Sequence, residues 1–352
     1  MVTVLYSLFP IVCTIGALER PHVIVYHSHA MEPLASSLKG KNAIAKVNSI
    51  TWNHFKDGFP NIFIENVDKV RNRHVAFLAS LHTPSVMFEQ YSVMMALPRH
   101  GAKSLTVFLP YFPVGTMERA SKKGEVVTAA ALARMLSTIP QGHSPTELVI
   151  LDIHALQEEF YFGDSILVRL ESAIPLLKNT LKNFFVEEVA IAFPDDGAYK
   201  RFNGFWDKTT EKIICGKRRD GDNRKVFIQE GNAKGKHVVI VDDLVQTGGT
   251  LAAAANALKD QGAKSVSAYC THGVFPTKES WTKFMPNESH GNAFKNFWIT
   301  NSIPSVSSLL DGKGPFKVID LAPFYLDVLK ERMEIYNDAA QTFNHRYRSY
   351  FQ

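Results

Sequence analysis

The sequence predicts an α/β protein built from two related parallel-sheet units. Three observations carry that prediction: the length of the chain, short charge-poor apolar runs that alternate with helical stretches, and an internal repeat. The chain has 352 residues, and at roughly 150 residues per domain that is enough for two cores. Hydrophobic residues make up 45% and charged residues 21% of it, which excludes wholesale disorder and a low-complexity polymer.

Residues 1–20 read as a poorly structured extension. The apolar-leaning stretch 4–18 contains Pro10 and Gly16 and is too short to span a bilayer. No positive charge precedes Arg20, so it lacks the opening of a secretory signal. The cytoplasm is therefore the expected compartment, with organellar targeting by this extension as the alternative, and no membrane partner is expected.

Eight runs then read as strands: VIVY (23–26), VAFL (75–78), LTVFL (105–109), LVIL (148–151), VAIAF (189–193), KIIC (212–215), VVIV (238–241) and VSAY (266–269). Nearly all are bare of charge, as strands covered on both faces of a sheet are, and helical stretches between them fit crossover connections. Laying 74–112 under 237–275 exposes the repeat. Both segments open with His-Val and an apolar strand, pass through a helix and reach Gly-Ala-Lys-Ser (Gly101 to Ser104, Gly262 to Ser265) before another strand. The offset of about 160 residues points to duplication. The expected organisation is an extension (1–20), a first domain (21–165), a second domain (166–322) and a C-terminal helix and tail (323–352). In the tail, Leu326, Leu329, Met333 and Tyr336 recur at helical spacing and predict core packing.

A net charge of +5 is too small to argue for a nucleic-acid partner and suits phosphorylated small molecules. Cys13, Cys215 and Cys270 are odd in number and outside any CxxC pattern, which fits a reducing compartment without a cysteine-based zinc site.

HVVIVDDLVQTGGT (237–250) is the stretch richest in chemistry. A buried strand ends at two carboxylates, and the chain restarts as a helix through Thr247, Gly248, Gly249 and Thr250. Glycine allows positive φ and close backbone approach, so successive N–H groups can converge on one anion. The helix N-terminus and the threonine hydroxyls add to that, and a phosphate fits. Asp242 and Asp243 repel such a phosphate; they suit ligand hydroxyls or a divalent cation. The first copy has Ala79-Ser80 and Pro84-Ser85 at the equivalent places. Only the second copy is equipped to hold an anion in that loop.

The acid pair followed by Thr-Gly-Gly-Thr resembles the ribose 5-phosphate loop of the type I phosphoribosyltransferase fold. From about His22 to Leu329 the chain resembles ribose-phosphate pyrophosphokinases, in particular the phosphate-independent plant-type class II enzymes. The resemblance runs through FKDGFPNIFIEN (55–66), LPYFPVGTMER (109–119), KKGEVVTAAALARMLS (122–137), LVILDIHALQEEFYFGD (148–164), VAIAFPDDGAYKRF (189–202) and VSAYCTHGVFP (266–276). It implies two duplicated type I phosphoribosyltransferase-like domains, and transfer of the β,γ-diphosphate of ATP to the C1 hydroxyl of ribose 5-phosphate, leaving AMP.

The resemblance also implies roles. Asp242, Asp243, Gln246, Thr247, Gly248, Gly249 and Thr250 would bind ribose 5-phosphate. Phe55, Asp57, Arg119 and His154 would bind ATP, and His154 and Asp195 would contact Mg2+, the expected cofactor. Lys217 and Arg219 would be catalytic; they follow a strand and lead into a polar stretch (Asp220 to Arg224) suited to a loop that closes over the transferring phosphates. Assembly into homo-oligomers through the first domains is implied as well.

Departures from the common class I pattern fall at Phe59, where those enzymes have glutamate, at Thr116-Met117, where they have Arg-Gln, and at Gln246, where they have aspartate. Adenine and phosphate contacts are expected to differ accordingly. A glutamine accepts no proton at neutral pH, so no general base is assigned at position 246. Two other functions fit the residues less well. A silent regulatory homologue should have lost the Lys-Arg segment, the DIHA histidine or the acid pair, and all three are present. A phosphoribosyltransferase would not need the DIHA element or a duplicated first domain.

Overall fold

A computed structural model of the chain describes residues 23–39, 45–185, 189–220, 223–286, 288–290 and 293–333. The expected extension, Cys13 and Tyr336 lie outside the described residues.

The first half forms β1 (Val23–His27), β2 (Ala45–Val47), β3 (Ile50–His54), β4 (Pro60–Ile64), β5 (His74–Leu78), β6 (Ser104–Phe108), β7 (Thr146–Leu151) and β8 (Ile166–Glu171). Six of these make a sheet in the order β2-β1-β5-β6-β7-β8, every pair parallel. β3 and β4 stand apart as an antiparallel hairpin. The second half forms β9 (Val189–Phe193), β10 (Lys212–Asp220), β11 (Asn223–Glu230), β12 (His237–Val245), β13 (Ser265–Gly273), β14 (Phe297–Thr300) and β15 (Phe316–Ile319). They pair in the order β11-β10-β9-β12-β13-β14-β15, parallel except for β10 with β11.

Helices cover the sheets: α1 (Glu32–Leu38), α2 (Pro84–Arg99), α3 (Thr128–Leu136), α4 (Ile174–Phe184), α5 (Asp196–Phe202) and α6 (Gly249–Asp260) are those that frame the sites. Each sheet has an apolar cluster on either face, which is why its central strands read as unbroken hydrophobic runs.

The repeat is a structural one. β5-α2-β6 and β12-α6-β13 occupy the same place in the two sheets. His74 Nδ1 lies 2.7 Å from Ser104 Oγ, and His237 Nδ1 lies 2.6 Å from Ser265 Oγ, each at the first rung of its ladder. Gly101 and Gly262 leave α2 and α6 at φ +82° and +90°, the left-handed turn that glycine makes without a Cβ clash.

Two expectations need correction in detail, and a third holds. The polar stretch after Cys215, expected as a loop, continues β10 and returns as β11, pairing Lys217 with Val226 and Arg219 with Arg224. The sheet-to-sheet crossing falls after Glu171, because β8 completes the first sheet; the boundary at 165/166 comes one strand too early. Finally, the C-terminal helix 322–333 packs back on the first sheet, where Tyr325, Val328 and Leu329 are buried with Val23, Val25 and Phe108. Leu326 and Met333 are half-buried against the same cluster, so the expected core packing holds for the described part of the tail.

In both sheets the chain winds outward in two directions from one internal gap, between β1 and β5 in the first and between β9 and β12 in the second. Crevices beyond the carboxyl ends of strands at such reversals are where open α/β sheets bind ligands.

Candidate active site

The reversal between β9 and β12 opens into a cleft of about 810 Å3. Its walls come from the end of β9 (Asp195), from α5 (Lys200, Arg201), from β12 and the following turn (Asp242 to Thr250), and from the first half of the chain (Glu118, Arg119, His154).

The two glycines of the turn do different work. Gly248 is the N-cap of α6 at φ +72°, and a Cβ there would stand 2.6 Å from the ring of the buried Phe284. Gly249 is already helical, and a Cβ on it would meet no atom within 4 Å; its missing side chain leaves the cleft floor open. With glycine at the cap, no side chain caps the first turn of this twelve-residue helix, so its amide groups suit an anion in the cleft.

The two carboxylates also differ. β12 runs past both of them, so they belong to the strand and do not follow it. The buried Asp243 accepts a hydrogen bond from His154 Nδ1 at 2.7 Å across the boundary between the halves. Burial raises the Asp243 carboxyl, but the His154 hydrogen bond and charge outweigh it and hold the carboxyl below its ordinary value. The same bond raises His154 against its own desolvation. Asp242 accepts a hydrogen bond from the Asp243 amide at 3.0 Å. Burial first, and then the charges of Asp243 and Asp195, push its carboxyl well up. Asp195 caps α5, accepting from Ala198 N at 3.0 Å. Among the described residues no group of three or more His, Cys, Asp or Glu side chains forms a ready metal cage.

His154 is aimed by a buried joint between the two sheets. Asp152, two residues earlier, sits at φ +38°, a strained value for a side chain other than glycine. Its Oδ2 accepts from Ala173 N at 3.0 Å and from Thr271 Oγ1 at 2.5 Å. His272 Nε2 donates to the Leu151 carbonyl at 2.9 Å. Strands β7 and β13 are thereby held end to end, which fixes the entry of the DIHA segment into the cleft.

Two side chains without a motif of their own matter here: Arg201 lines the cleft, and Glu158, outside its lining, is buried within the electrostatic reach of His154 and Arg201. The Arg201 Nη1 is buried and has no partner. Glu158, fully buried, accepts from Ala155 N at 3.0 Å through Oε1, while its Oε2 has no partner. Burial pushes its carboxyl up to about 7. In the folded protein Glu158 thus keeps a proton that the unfolded chain has already lost, so its contribution to stability is full below the ordinary carboxyl range and is lost as pH rises toward about 7. Urea unfolding in EDTA should give a lower stability at pH 8 than at pH 5, and Glu158→Gln should flatten that slope by on the order of 2 kcal/mol. An unchanged slope would remove Glu158 as the responsible group.

Of the residues expected at the site, Arg119, His154, Asp195, Asp242, Asp243 and Gln246 to Thr250 all line this one cleft. Phe55 and Asp57 do not. They lie at the tip of the β3-β4 hairpin, where Phe55 is 56% exposed and the Asp57 carboxylate accepts the Phe59 amide. The backbone of Lys217 and Arg219 is in β10; their side chains lie outside the described residues.

Comparison with known proteins finds two family models. Residues 23–139 match the N-terminal domain of ribose phosphate pyrophosphokinase, and residues 173–293 match the phosphoribosyl transferase domain. The chain is 48% identical over 305 residues to ribose-phosphate pyrophosphokinase 3, chloroplastic, of Oryza sativa subsp. japonica, covering 86% of this chain and 74% of that one. It is 46% identical over 326 residues to ribose-phosphate pyrophosphokinase 4 of Arabidopsis thaliana, covering 91% and 96%. In fold it resembles the phosphoribosylpyrophosphate synthetase of Mycobacterium smegmatis, with a TM-score of 0.70, 23% identity and coverage of 89% and 99%.

Proposed function

Because the chain belongs to the ribose-phosphate pyrophosphokinase family, we propose that its cleft transfers the β,γ-diphosphate of ATP to the C1 hydroxyl of ribose 5-phosphate, giving phosphoribosyl pyrophosphate and AMP. The observation that carries this is the β12 turn: an uncapped helix start beside two carboxylates, facing His154 and Arg119 across one cleft.

In this assignment the amides of α6, with Thr247 and Thr250, receive the 5-phosphate, and Asp242 and Asp243 accept hydrogen bonds from the ribose hydroxyls. Arg119 and Arg201 are cations on the cleft wall suited to the polyphosphate. Lys217 and Arg219 act on charge that develops as the diphosphate departs. β10 pairs with β9 only from Lys212 to Ile214, and beyond that it pairs with β11 alone, so the ribbon projects past the carboxyl end of β9, the end at which Asp195 lines the cleft.

The donors also suit Mg2+. This ion keeps most of its waters and takes one or two protein ligands plus phosphate oxygens, so the lack of a cage among the described residues is compatible with it. His154 and Asp195 would hold it. When bound, it supplies charge neutralisation for the polyphosphate.

Neither Phe55 nor Asp57 lines the cleft of its own chain, so their expected contact with ATP is assigned to the cleft of a second copy in a homo-oligomer. No helix among the described residues is long and apolar enough to cross a membrane. The cytoplasm is the compartment proposed.

The test is direct: purified protein with ATP, Mg2+ and ribose 5-phosphate should release AMP at a rate that depends on the pentose, whereas release of ADP would contradict the transfer. Asp242→Ala should raise KM for ribose 5-phosphate by about tenfold or more, the loss of a hydrogen bond to a buried hydroxyl, with a smaller change in KM for ATP. A selective loss of ATP affinity would contradict the assignment.

A further inference from the structure

Glu158 does not line the cleft, yet it touches the segments that build one of its walls. It stands in the short 3-10 helix Leu156–Tyr161 that follows the DIHA segment. Its Oε1 accepts the amide of Ala155, the residue next to His154, at 3.0 Å. That bond is one half of a capping box, which fixes how a chain enters a helix. Capping alone does not require burial, and glutamate is almost never fully buried unless it is paired. Glu158 is nevertheless 0% exposed, with its second oxygen unmet.

The neighbours of the carboxyl account for its burial. Gly115 packs close to it: a Cβ there would stand 3.4 Å from both Glu158 oxygens and 3.5 Å from His154 Cβ. Gly115 opens the segment that brings Thr116, Glu118 and Arg119 to the cleft. The same 3-10 helix holds that segment a second time, through Tyr161 OH, which donates to the Glu118 carbonyl. Arg201, from the other half of the chain, acts on the carboxyl through charge. Burial above all, and Glu118, oppose ionisation of Glu158, while the Ala155 amide, His154 and Arg201 favour it.

Resting on the diphosphate-transfer reading, we propose that Glu158 is a positioning residue for the polyphosphate end of the cleft: through the Ala155 amide it sets how His154 enters, and against Gly115 it seats the wall 116–119. Its contribution to rate comes through those residues, because a displacement of about 1 Å behind a reacting group can cost about a hundredfold.

The test compares Glu158→Met, which keeps the length of the side chain and loses both oxygens, with Glu158→Gln, which keeps an acceptor for the Ala155 amide. In the methionine variant kcat for AMP release should fall about tenfold or more and KM for ATP should rise about tenfold, with the Kd for ribose 5-phosphate within about threefold. Its Tm should stay within about 3 °C of the wild type, because lost bond and removed unmet oxygen offset each other. The glutamine variant should recover both kinetic values to within about threefold. Exchange of the Ala155 amide, followed by NMR on ligand-free protein, should be about tenfold faster in the methionine variant and unchanged in the glutamine variant. Wild-type kinetics or unchanged exchange in the methionine variant would overturn the proposal. So would a glutamine variant as slow as the methionine one, or a loss of pentose affinity in step with the rate, the mark of a merely structural glutamate. Exchange needs no turnover, so a wild-type protein that releases no AMP would contradict the transfer assignment while the Ala155 link is still tested.

Discussion

Lys217→Ala is expected to lower kcat by about a thousandfold while leaving the Kd for ribose 5-phosphate within about threefold, because an ammonium that meets charge only as the bond breaks adds nothing to ground-state binding. The reason lies in the β10-β11 ribbon. Paired to β9 for only three residues, it extends beyond the sheet as a two-stranded arm, and two-stranded ribbons are marginal alone. Such an arm can close over bound phosphates and release them. Lys217 and Arg219 both belong to the projecting strand, so a movement of the arm carries both. Single-turnover kinetics and equilibrium binding separate the two quantities. A variant that loses pentose binding in proportion to rate would mean that Lys217 is part of the resting site, and an unchanged rate would remove the arm from the mechanism.

Gly249→Ala is expected to reduce affinity for ribose 5-phosphate by about a hundredfold with no loss of Tm. A methyl there touches no protein atom within 4 Å, and alanine is the better helix former by about 0.5–1 kcal/mol. The added carbon enters only the space where a phosphate would approach the α6 amides. Gly248→Ala provides the contrast: the methyl meets the Phe284 ring at 2.6 Å and the backbone is held at φ +72°, so folding stability should drop by about 2–4 kcal/mol along with binding. Calorimetric titration beside thermal unfolding distinguishes the pair. If Gly249→Ala binds ribose 5-phosphate normally, the 5-phosphate is not at the helix start.

The fold was legible where burial leaves a mark on composition. Central strands such as 189–193 and 238–241 read as apolar runs because both faces are covered. Edge strands did not: β8 carries Arg169, bonded to Glu331 at 2.9 Å, since an edge facing water tolerates charge, and the sequence of β11 opens on Asn-Arg-Lys. The β10-β11 turn through Asp220 and Asn223 looks like any polar loop until its partner strand is known. At the site, the TGGT turn was readable because its chemistry is local. The division of labour between Asp242 and Asp243 was not, because it depends on His154, 89 positions away in the chain. Glu158 and Arg201 leave no local signal for the same reason: their unmet atoms result from burial, and no spacing announces them. Phe55 and Asp57 show the converse. A motif identified their residue type, but only the hairpin geometry separates them from the cleft of their own chain.

Everything in the transfer depends on the cleft between β9 and β12 holding the pentose phosphate on the start of α6 and not elsewhere. A crystal structure of the protein with ribose 5-phosphate tests it most directly. The phosphate should lie within hydrogen-bond reach of the amides at 249 to 251, and the ring hydroxyls against Asp242 and Asp243. Pentose seated elsewhere with that turn unengaged, at concentrations that support turnover, would contradict it.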